Sequence, residues 1–266
     1  MVRRPLGNHH HGPDTRLVTS DTAQTDSVAT QTENLREVIT HARFVLFDFD
    51  GPICRLFAGH SAGHVAKDLV EWLEGQGLRG LLTEQERVHP DPMVVLHAVD
   101  RRHPKSALVS ELERRLTQQE LKAVASAWPT AYADPLIRTW VALGARLAIA
   151  TNNSPLTAAS YLESRGLGAC FQPNIYGRTQ DLHHLKPDPH CLNQALSALS
   201  AAPSESLMLG DAPYDFAAAQ RAGMPFLGYA RNERKEKLMR DAGVENIVRS
   251  LEDVLRVLRL RPEAAG

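Results

Sequence analysis

Residues 44–51 read FVLFDFDG, and this stretch decides the fold of the chain. Its first four residues are apolar and mostly branched or aromatic, which predicts a fully buried strand. Because side chains alternate along a strand, Asp48 and Asp50 leave its C-terminal tip on the same side, and Gly51 then permits a sharp turn. Parallel α/β sheets bind ligands at that tip. Two carboxylates so close together repel each other, so either a cation binds them or one of them takes up a proton. The stretch indicates a functional site, although a strand ending in a solvated acidic turn also fits so short a motif.

Composition restricts the class of protein. The 266 residues allow one large domain, or one domain with an insertion. A hydrophobic content of 43% with 23% charged residues is typical of a soluble globular protein. The net charge of −1 offers no basis for non-specific binding to nucleic acid or to anionic membranes.

The same features predict a cytoplasmic location. The chain has no apolar run of the ~18 residues that a membrane span needs, and its start lacks the apolar region of a secretory signal. Cys54, Cys170 and Cys191 are widely spaced, which predicts neither a disulfide framework nor a zinc site. We therefore expect no nucleic-acid or membrane partner, and the sequence identifies no protein partner.

The chain divides into a tail, a core and an insertion. Residues 1–33 are polar with almost no bulky apolar side chains, which predicts a disordered N-terminal tail. Residues 34–54 and 134–266 are predicted to form the core. Residues 55–133 between them show helical periodicity at 62–74, 92–102 and 105–127, and this segment is too long for an ordinary loop. A separate small helical domain is predicted there.

Beyond residue 146, strand and helix patterns alternate regularly. The alternation predicts a parallel sheet covered by helices on both faces, that is, a doubly wound, Rossmann-like α/β core. The strands are predicted at 146–151, 171–176, 206–209, 226–229 and 246–248.

Polar residues also follow the second predicted strand. Thr151 opens the sequence TNNSP, and a hydroxyl followed by backbone amides at a helix N-terminus makes an anion cradle. Helix capping by Asn153 or Ser154 fits the same residues equally well. Lys186 precedes Pro187 in a stiff loop, where its ammonium group can neutralise a phosphoryl group or simply be solvated.

A second acidic motif follows a later strand. Gly210 and Asp211 end a predicted buried strand, and Asp215 lies in the first turn of the next helix. Asp211 beside Asp48 would provide the oxygen ligands that Mg²⁺ prefers. A favourable charge at the helix N-terminus is the alternative role for Asp215.

In order and strand context, the four motifs resemble the haloacid dehalogenase-like superfamily, in particular its phosphatases with an α-helical cap, such as phosphoglycolate phosphatases. The resemblance covers about residues 44–260, and the helical segment at 55–133 looks like the cap. It implies Mg²⁺ as the cofactor and a small phosphorylated metabolite as the substrate.

The resemblance also implies roles for the core residues. Asp48 would be the nucleophile that forms an aspartyl-phosphate, and Asp50 would protonate the leaving oxygen and then activate water. Thr151 and Asn152 would bind the phosphoryl oxygens, while Lys186 would balance their charge.

The resemblance further implies that four aspartates form the metal site. Mg²⁺ would be bound by Asp48, the main-chain carbonyl of Asp50, and Asp211. Asp215 would orient a ligand or a metal-bound water.

Substrate choice is expected to lie in the cap. Arg55 and His60, together with His64 and the basic cluster at 101–105, follow the first motif and are candidates to meet the substrate. A solvated surface is the alternative for each of them. Pro52 departs from the Thr or small β-branched residue that many of these phosphatases carry, and it stiffens the flap between core and cap.

Asp50 argues against a dehalogenase, because dehalogenases of the superfamily lack that acid. Lys67 and Lys105 are candidates for the Schiff-base lysine of phosphonate-cleaving relatives, but neither lies in a matching context. Two alternatives stay open: a sugar-phosphate mutase on the same core, and a non-catalytic binding domain.

Overall fold

The structure, a computed structural model, describes residue 33 and residues 35–260. The predicted disordered tail lies outside these residues apart from residue 33. Residues 35–41 form helix α1. The strands are β1 (Phe44–Phe47), β2 (Cys54–Arg55), β3 (Trp128–Pro129), β4 (Arg146–Ala150), β5 (Ile175–Tyr176), β6 (Ser206–Gly210), β7 (Phe226–Tyr229) and β8 (Ile247–Val248). The other helices are α2 (Ala62–Gly75), α3 (Glu84–Arg87), α4 (Pro92–Arg102), α5 (Ala107–Val124), α6 (Ala133–Ala142), α7 (Pro155–Ser164), α8 (Gly168–Phe171), α9 (His190–Leu199), α10 (Pro213–Arg221), α11 (Glu233–Asp241) and α12 (Leu251–Arg259).

Strand β1 lies at the centre of a six-stranded sheet with the order β5-β4-β1-β6-β7-β8. Every pairing within this sheet is parallel. All four residues of β1 are buried, as expected for a strand paired on both edges and covered on both faces. Phe44 pairs with Arg146 of β4 on one side and with Ser206 of β6 on the other. The order β4-β1-β6 brings three predicted strand tips together.

Helices cover both faces of the sheet. Val45 and Phe47 point into an apolar cluster formed with α6, α7 and α12, where the Phe47 ring meets Trp140 edge to face at 5.5 Å between centroids. Phe44 and Leu46 point to the opposite cluster, formed with α9, α10 and α11. The doubly wound α/β core is confirmed.

The inserted helices, α2–α5, lie between β1 and β4 in the chain and have an apolar cluster of their own, formed mainly by residues of α2, α4 and α5. Strands β2 and β3 flank them and pair antiparallel, with Cys54 opposite Pro129. An α-helical insertion in an α/β fold is therefore confirmed, whereas its division from the core at residues 55 and 133 stays a prediction.

Several element boundaries differ from the sequence-based expectation. The helix predicted at 105–127 covers Ala107–Val124, because Lys105 has a φ of 55° and the Ser106 hydroxyl caps the helix by accepting from Val109 N. The strand predicted at 171–176 is reduced to Ile175–Tyr176, since Phe171 ends α8 with its ring 5.8 Å from that of Phe47. Among the described residues, no helix combines the length and hydrophobicity that a membrane-spanning segment requires.

Candidate active site

The site lies where β4, β1 and β6 end. Asp48 follows β1 directly, Thr151 follows β4, and Asp211 follows β6. The Asp48 amide donates to Leu209 O at 2.9 Å, which fixes the tip of β1 against β6. All three side chains are almost fully buried. Short buried strands that end in polar residues therefore bring these groups to one edge of the sheet.

Three carboxylates form a compact group of oxygen atoms. Asp48, Asp211 and Asp215 each offer one oxygen, and these atoms lie within 4.8 Å of one another. An all-oxygen donor set of this kind suits Mg²⁺, which binds one or two carboxylates and leaves room for water and a phosphate. The side chains present fit the cofactor that the motifs predict.

The charge balance also fits a cation. Four carboxylates lie at the site, those of Asp48, Asp50, Asp211 and Asp215. Fewer positive groups oppose them, namely the ammonium groups of Lys186 and Lys235 and, at Asp50, the guanidinium of Arg231. Burial raises the pKa of Asp211 to about 6, although the Lys235 ammonium opposes this effect. Burial likewise raises the pKa of Asp215, against the opposing effect of Lys186. A bound cation would relieve this excess of buried negative charge.

Asp215 organises the turn after β6. Its Oδ2 accepts from Asp211 N at 3.1 Å and from Ala212 N at 3.0 Å, while its Oδ1 lies 2.7 Å from Lys186 Nζ. The side chain is fully buried at the start of α10. Asp215 therefore fixes the position of the Asp211 backbone as well as belonging to the group of three carboxylates.

Lys186 lies between the two acidic motifs. Its Nζ donates to Asp48 Oδ1 at 2.9 Å and to Ala150 O at 2.7 Å. Burial by itself lowers the pKa of this lysine, but the Asp215 and Asp48 carboxylates outweigh that effect and the pKa is raised above its ordinary value. Lys186 is therefore a fixed positive charge beside Asp48.

Asp50 is placed differently from Asp48. Its Oδ1 accepts from Leu56 N at 2.9 Å, so its carboxylate ties the first motif to the start of the inserted segment. Burial raises the pKa of Asp50 to about 6, partly offset by the hydrogen bond from Leu56. Its side chain is not among the three compactly grouped carboxylates.

The loop after β4 is ordered by its own side chains. Thr151 Oγ1 accepts from Asn153 N at 3.1 Å. The Asn152 side chain binds the backbone of Lys186 twice, accepting from its amide at 2.8 Å and donating to its carbonyl at 3.0 Å. Asn152 thereby links the loop to Lys186. This structural role was not predicted, since the sequence indicated only that Asn152 binds phosphate.

Two residues that were not predicted from the sequence also reach the site. Glu120 of α5 accepts from Ser154 N at 3.0 Å, so a carboxylate from another helix caps α7 in place of the two side chains considered. The sequence does indicate that Glu120 is buried, because it continues the four-residue spacing of Leu112 and Leu116 on a buried helix face. Lys235 of α11 contacts the Asp211 carboxylate, and nothing in its local sequence indicates this.

Several of the basic residues predicted to bind substrate contact other side chains of the protein. The Arg55 guanidinium lies 5.4 Å from the centroid of the Trp128 ring, and His60 Nε2 lies 3.1 Å from Gln119 Oε1. Other basic side chains of the insertion form surface ion pairs: Arg101 and Arg102 with Glu86, Lys105 with Asp181, and Lys67 with Glu71.

A cavity of about 320 Å³ opens onto the site. Asp48, Asp50, Asp211 and Lys235 line it on the core side. The inserted segment contributes Phe57, Ala62, Pro90, Asp91, Pro92, Met93 and Glu120. Arg55 and His60 are not among the described residues that line it.

Parts of this chain are similar in sequence to known proteins. A phosphoglycolate phosphatase from Rhodospirillum rubrum is 37% identical over 113 residues, which cover 41% of this chain and 45% of the relative. A pyrophosphatase, PpaX, from Halalkalibacterium halodurans is 30% identical over 127 residues, covering 47% of this chain and 57% of the relative. The chain thus spans about half the length of the curated relatives it matches.

Solved structures agree with the fold. CbbY from Rhodobacter sphaeroides, solved in complex with phosphate, superposes with a TM-score of 0.59 at 20% identity over 82% of this chain and 100% of that one. A haloacid dehalogenase-like hydrolase from Streptococcus pneumoniae gives a TM-score of 0.58 at 18% identity over 82% and 98%. At such identities the likeness concerns the fold alone. The haloacid dehalogenase-like hydrolase family model matches residues 42–223, which is more than half of the chain, and the protein therefore belongs to that family.

Proposed function

We propose that this protein is a Mg²⁺-dependent hydrolase of small phosphomonoesters that works through an aspartyl-phosphate intermediate. The observation that carries the proposal is the Asp48 carboxylate, buried at the tip of β1, paired with Lys186 at 2.9 Å and open to the same cavity as Asp50. Relatives that share part of the chain are named phosphoglycolate phosphatase and pyrophosphatase, and both names denote cleavage of a phosphate bond.

In the proposed reaction, an Asp48 oxygen attacks phosphorus and the bond to the leaving oxygen breaks. Asp50 donates a proton to that oxygen, and its raised pKa of about 6 keeps a protonated fraction available near neutral pH. Asp50 then removes a proton from the water that cleaves the aspartyl-phosphate. Lys186 holds a positive charge beside Asp48 throughout, and Thr151 and the Asn152 backbone hold phosphoryl oxygens.

The metal would be held by Asp48, Asp211, the main-chain carbonyl of Asp50 and, directly or through a water, Asp215. When bound, Mg²⁺ would neutralise charge on the phosphoryl oxygens. Asp215 and Lys186 keep the ligands in position by their hydrogen bonds and ion pairs.

The substrate is proposed to be a small phosphorylated metabolite, and a cytoplasmic location without nucleic-acid or membrane partners stays a prediction. Arg55 and His60 stay predicted substrate-binding residues, although neither lines the cavity. The apolar side chains of Phe57, Pro92 and Met93 are the groups that would meet the leaving group.

The test is hydrolysis of p-nitrophenyl phosphate with and without Mg²⁺. We expect turnover that requires the metal, and a loss of at least about a thousandfold in Asp48→Asn, because the nucleophile is removed. Asp188→Asn is the matched control, since Asp188 accepts from His190 N on a neighbouring loop and Asn keeps an acceptor oxygen.

Other outcomes separate the alternatives. Turnover of sugar phosphates that requires a bisphosphate activator would identify the mutase. Absence of turnover with aryl and metabolite phosphates alike would favour the non-catalytic binding domain.

A further inference from the structure

A buried ion pair joins the inserted helices to the loop after β4. Glu120 of α5 is 1% exposed, and the side chain of Arg178, which follows β5, is fully buried. Arg178 Nη1 donates to Glu120 Oε1 at 2.8 Å and its Nη2 donates to Glu120 Oε2 at 3.1 Å. This two-pronged pair fixes the plane of the Glu120 carboxylate.

The same carboxylate accepts three hydrogen bonds from the start of α7. The donors are Asn153 Nδ2 at 3.1 Å, Ser154 N at 3.0 Å and Thr157 Oγ1 at 3.3 Å. A negative charge there is favoured by the dipole of the helix N-terminus. Glu120 thus holds the loop of residues 151–154, whose Thr151 and Asn152 are proposed to bind phosphate.

Arg178 is held from several sides. Its Nε donates to Glu113 Oε1, its Nη2 to Thr117 Oγ1 and its Nη1 to Asn152 O, each at 3.1 Å. Burial by itself lowers the pKa of Arg178, but the Glu120 and Glu113 carboxylates together outweigh that effect and the pKa is raised. The guanidinium stays charged and touches both the inserted helix and the loop.

The location of this pair distinguishes it from an ordinary structural contact. Glu120 lines the cavity that Asp48 and Asp50 also line, together with Asn152 and Asn153. Burying two charges is costly, so a fully buried pair is weak evidence for added stability. A rigid pair of this kind can instead hold the loop of residues 151–154 at a fixed distance from the nucleophile.

We propose that Glu120, oriented by Arg178, is a positioning residue that holds the phosphate-binding loop in its working conformation. This inference rests on the proposed phosphatase function for its effect on activity. Because Glu120 belongs to α5, its three hydrogen bonds to this loop and to α7 form only while the inserted helices lie against α7. The inserted helices therefore complete the phosphate site as well as covering it.

The test compares Glu120→Gln and Glu120→Ala with Glu113→Gln in the full chain. Glu113→Gln is the matched control because Glu113 pairs with the same Arg178 but none of its hydrogen bonds involves the loop. Two quantities are measured: hydrogen–deuterium exchange of the peptide containing residues 152–160, and the inhibition constant of inorganic phosphate against p-nitrophenyl phosphate hydrolysis.

We expect exchange in that peptide to accelerate about tenfold or more in Glu120→Ala, and less in Glu120→Gln, which keeps one acceptor oxygen. The inhibition constant of phosphate should rise in the same order, while Glu113→Gln changes both quantities less than about twofold. Equal effects of Glu113→Gln and Glu120→Gln, or unchanged exchange in both Glu120 variants, would overturn the proposal. If the wild type hydrolyses no phosphate ester, the proposed function fails, and hydrogen exchange still decides whether Glu120 holds the loop.

Discussion

At the scale of single residues, close backbone approach decides what the site tolerates. Gly210 ends β6, and a Cβ added to it would lie 2.6 Å from Cβ of Asp215 and 2.7 Å from its Oδ2. Asp215 is fully buried and holds the Asp211 amide, so it has no free space to move into. Glycine at this position is therefore required by the site and not by a turn.

We expect Gly210→Ala to displace Asp215, to lower Mg²⁺ affinity by about tenfold or more, and to destabilise the fold by roughly 1–3 kcal/mol through overpacking. Calorimetric titration with Mg²⁺ and urea unfolding measure the two effects. Gly80→Ala is the control, because a Cβ there meets nothing within 4 Å. Wild-type metal affinity in Gly210→Ala would contradict the placement of Asp215.

Lys235 competes electrostatically with a cation at Asp211. Its ammonium group contacts the Asp211 carboxylate and also lies 3.3 Å from Asp211 O. Lys235→Met should therefore raise Mg²⁺ affinity by roughly two- to fivefold, the range that a partly exposed ion pair of up to about 1 kcal/mol allows. Titration of the protein with Mg²⁺ measures this. Lys237→Met on the same helix should leave the affinity unchanged, since Lys237 pairs with Asp241 on the surface.

At the scale of elements, α3 and α4 are joined by one carboxylate. Glu86 closes a capping box by accepting from Thr83 N at 2.9 Å, and its other contacts are with Arg101 and Arg102 at the end of α4. The hydrogen bond from Thr83 N, together with Arg102, lowers the pKa of Glu86 from 4.5 to about 2. The folded state therefore favours the ionised form.

A group whose pKa is lowered in the folded state stabilises the protein at pH values above its ordinary pKa. That stabilisation is lost as the pH falls toward the pKa of the folded state. Glu86→Gln should lower the melting temperature at pH 6, and the difference from the wild type should shrink as pH falls from about 4.5 toward about 2. Glu84→Gln is the control, since its side chain is 79% exposed. A difference that stays constant with pH would disprove the assignment.

At the scale of the whole molecule, large buried side chains pack the helices against the sheet. Trp140 of α6 is fully buried and packs edge to face on Phe47 of β1. We expect Trp140→Ala to lower the free energy of unfolding by about 3–5 kcal/mol, because a large cavity forms beside the central strand. Urea unfolding measures it. Trp128→Ala, at a position 58% exposed, should cost less than about 1 kcal/mol.

The sequence alone determined the frame of the site. Buried apolar strands are recognisable locally, and carboxyl ends of parallel strands share one edge of the sheet. Asp48, Thr151 and Asp211 were therefore predictable as neighbours, because each follows such a strand. The roles assigned to them stay predictions until activity is measured.

Only the tertiary structure decided which side chains meet across long separations. Glu120 and Ser154 are 34 residues apart, Lys235 and Asp211 are 24 apart, and each contact depends on how whole helices pack. Periodicity places Glu120 on a buried face but cannot say what that face touches. For the same reason the basic residues of the insertion were expected at the substrate, whereas the fold pairs Arg101 and Arg102 with Glu86, and Lys105 with Asp181.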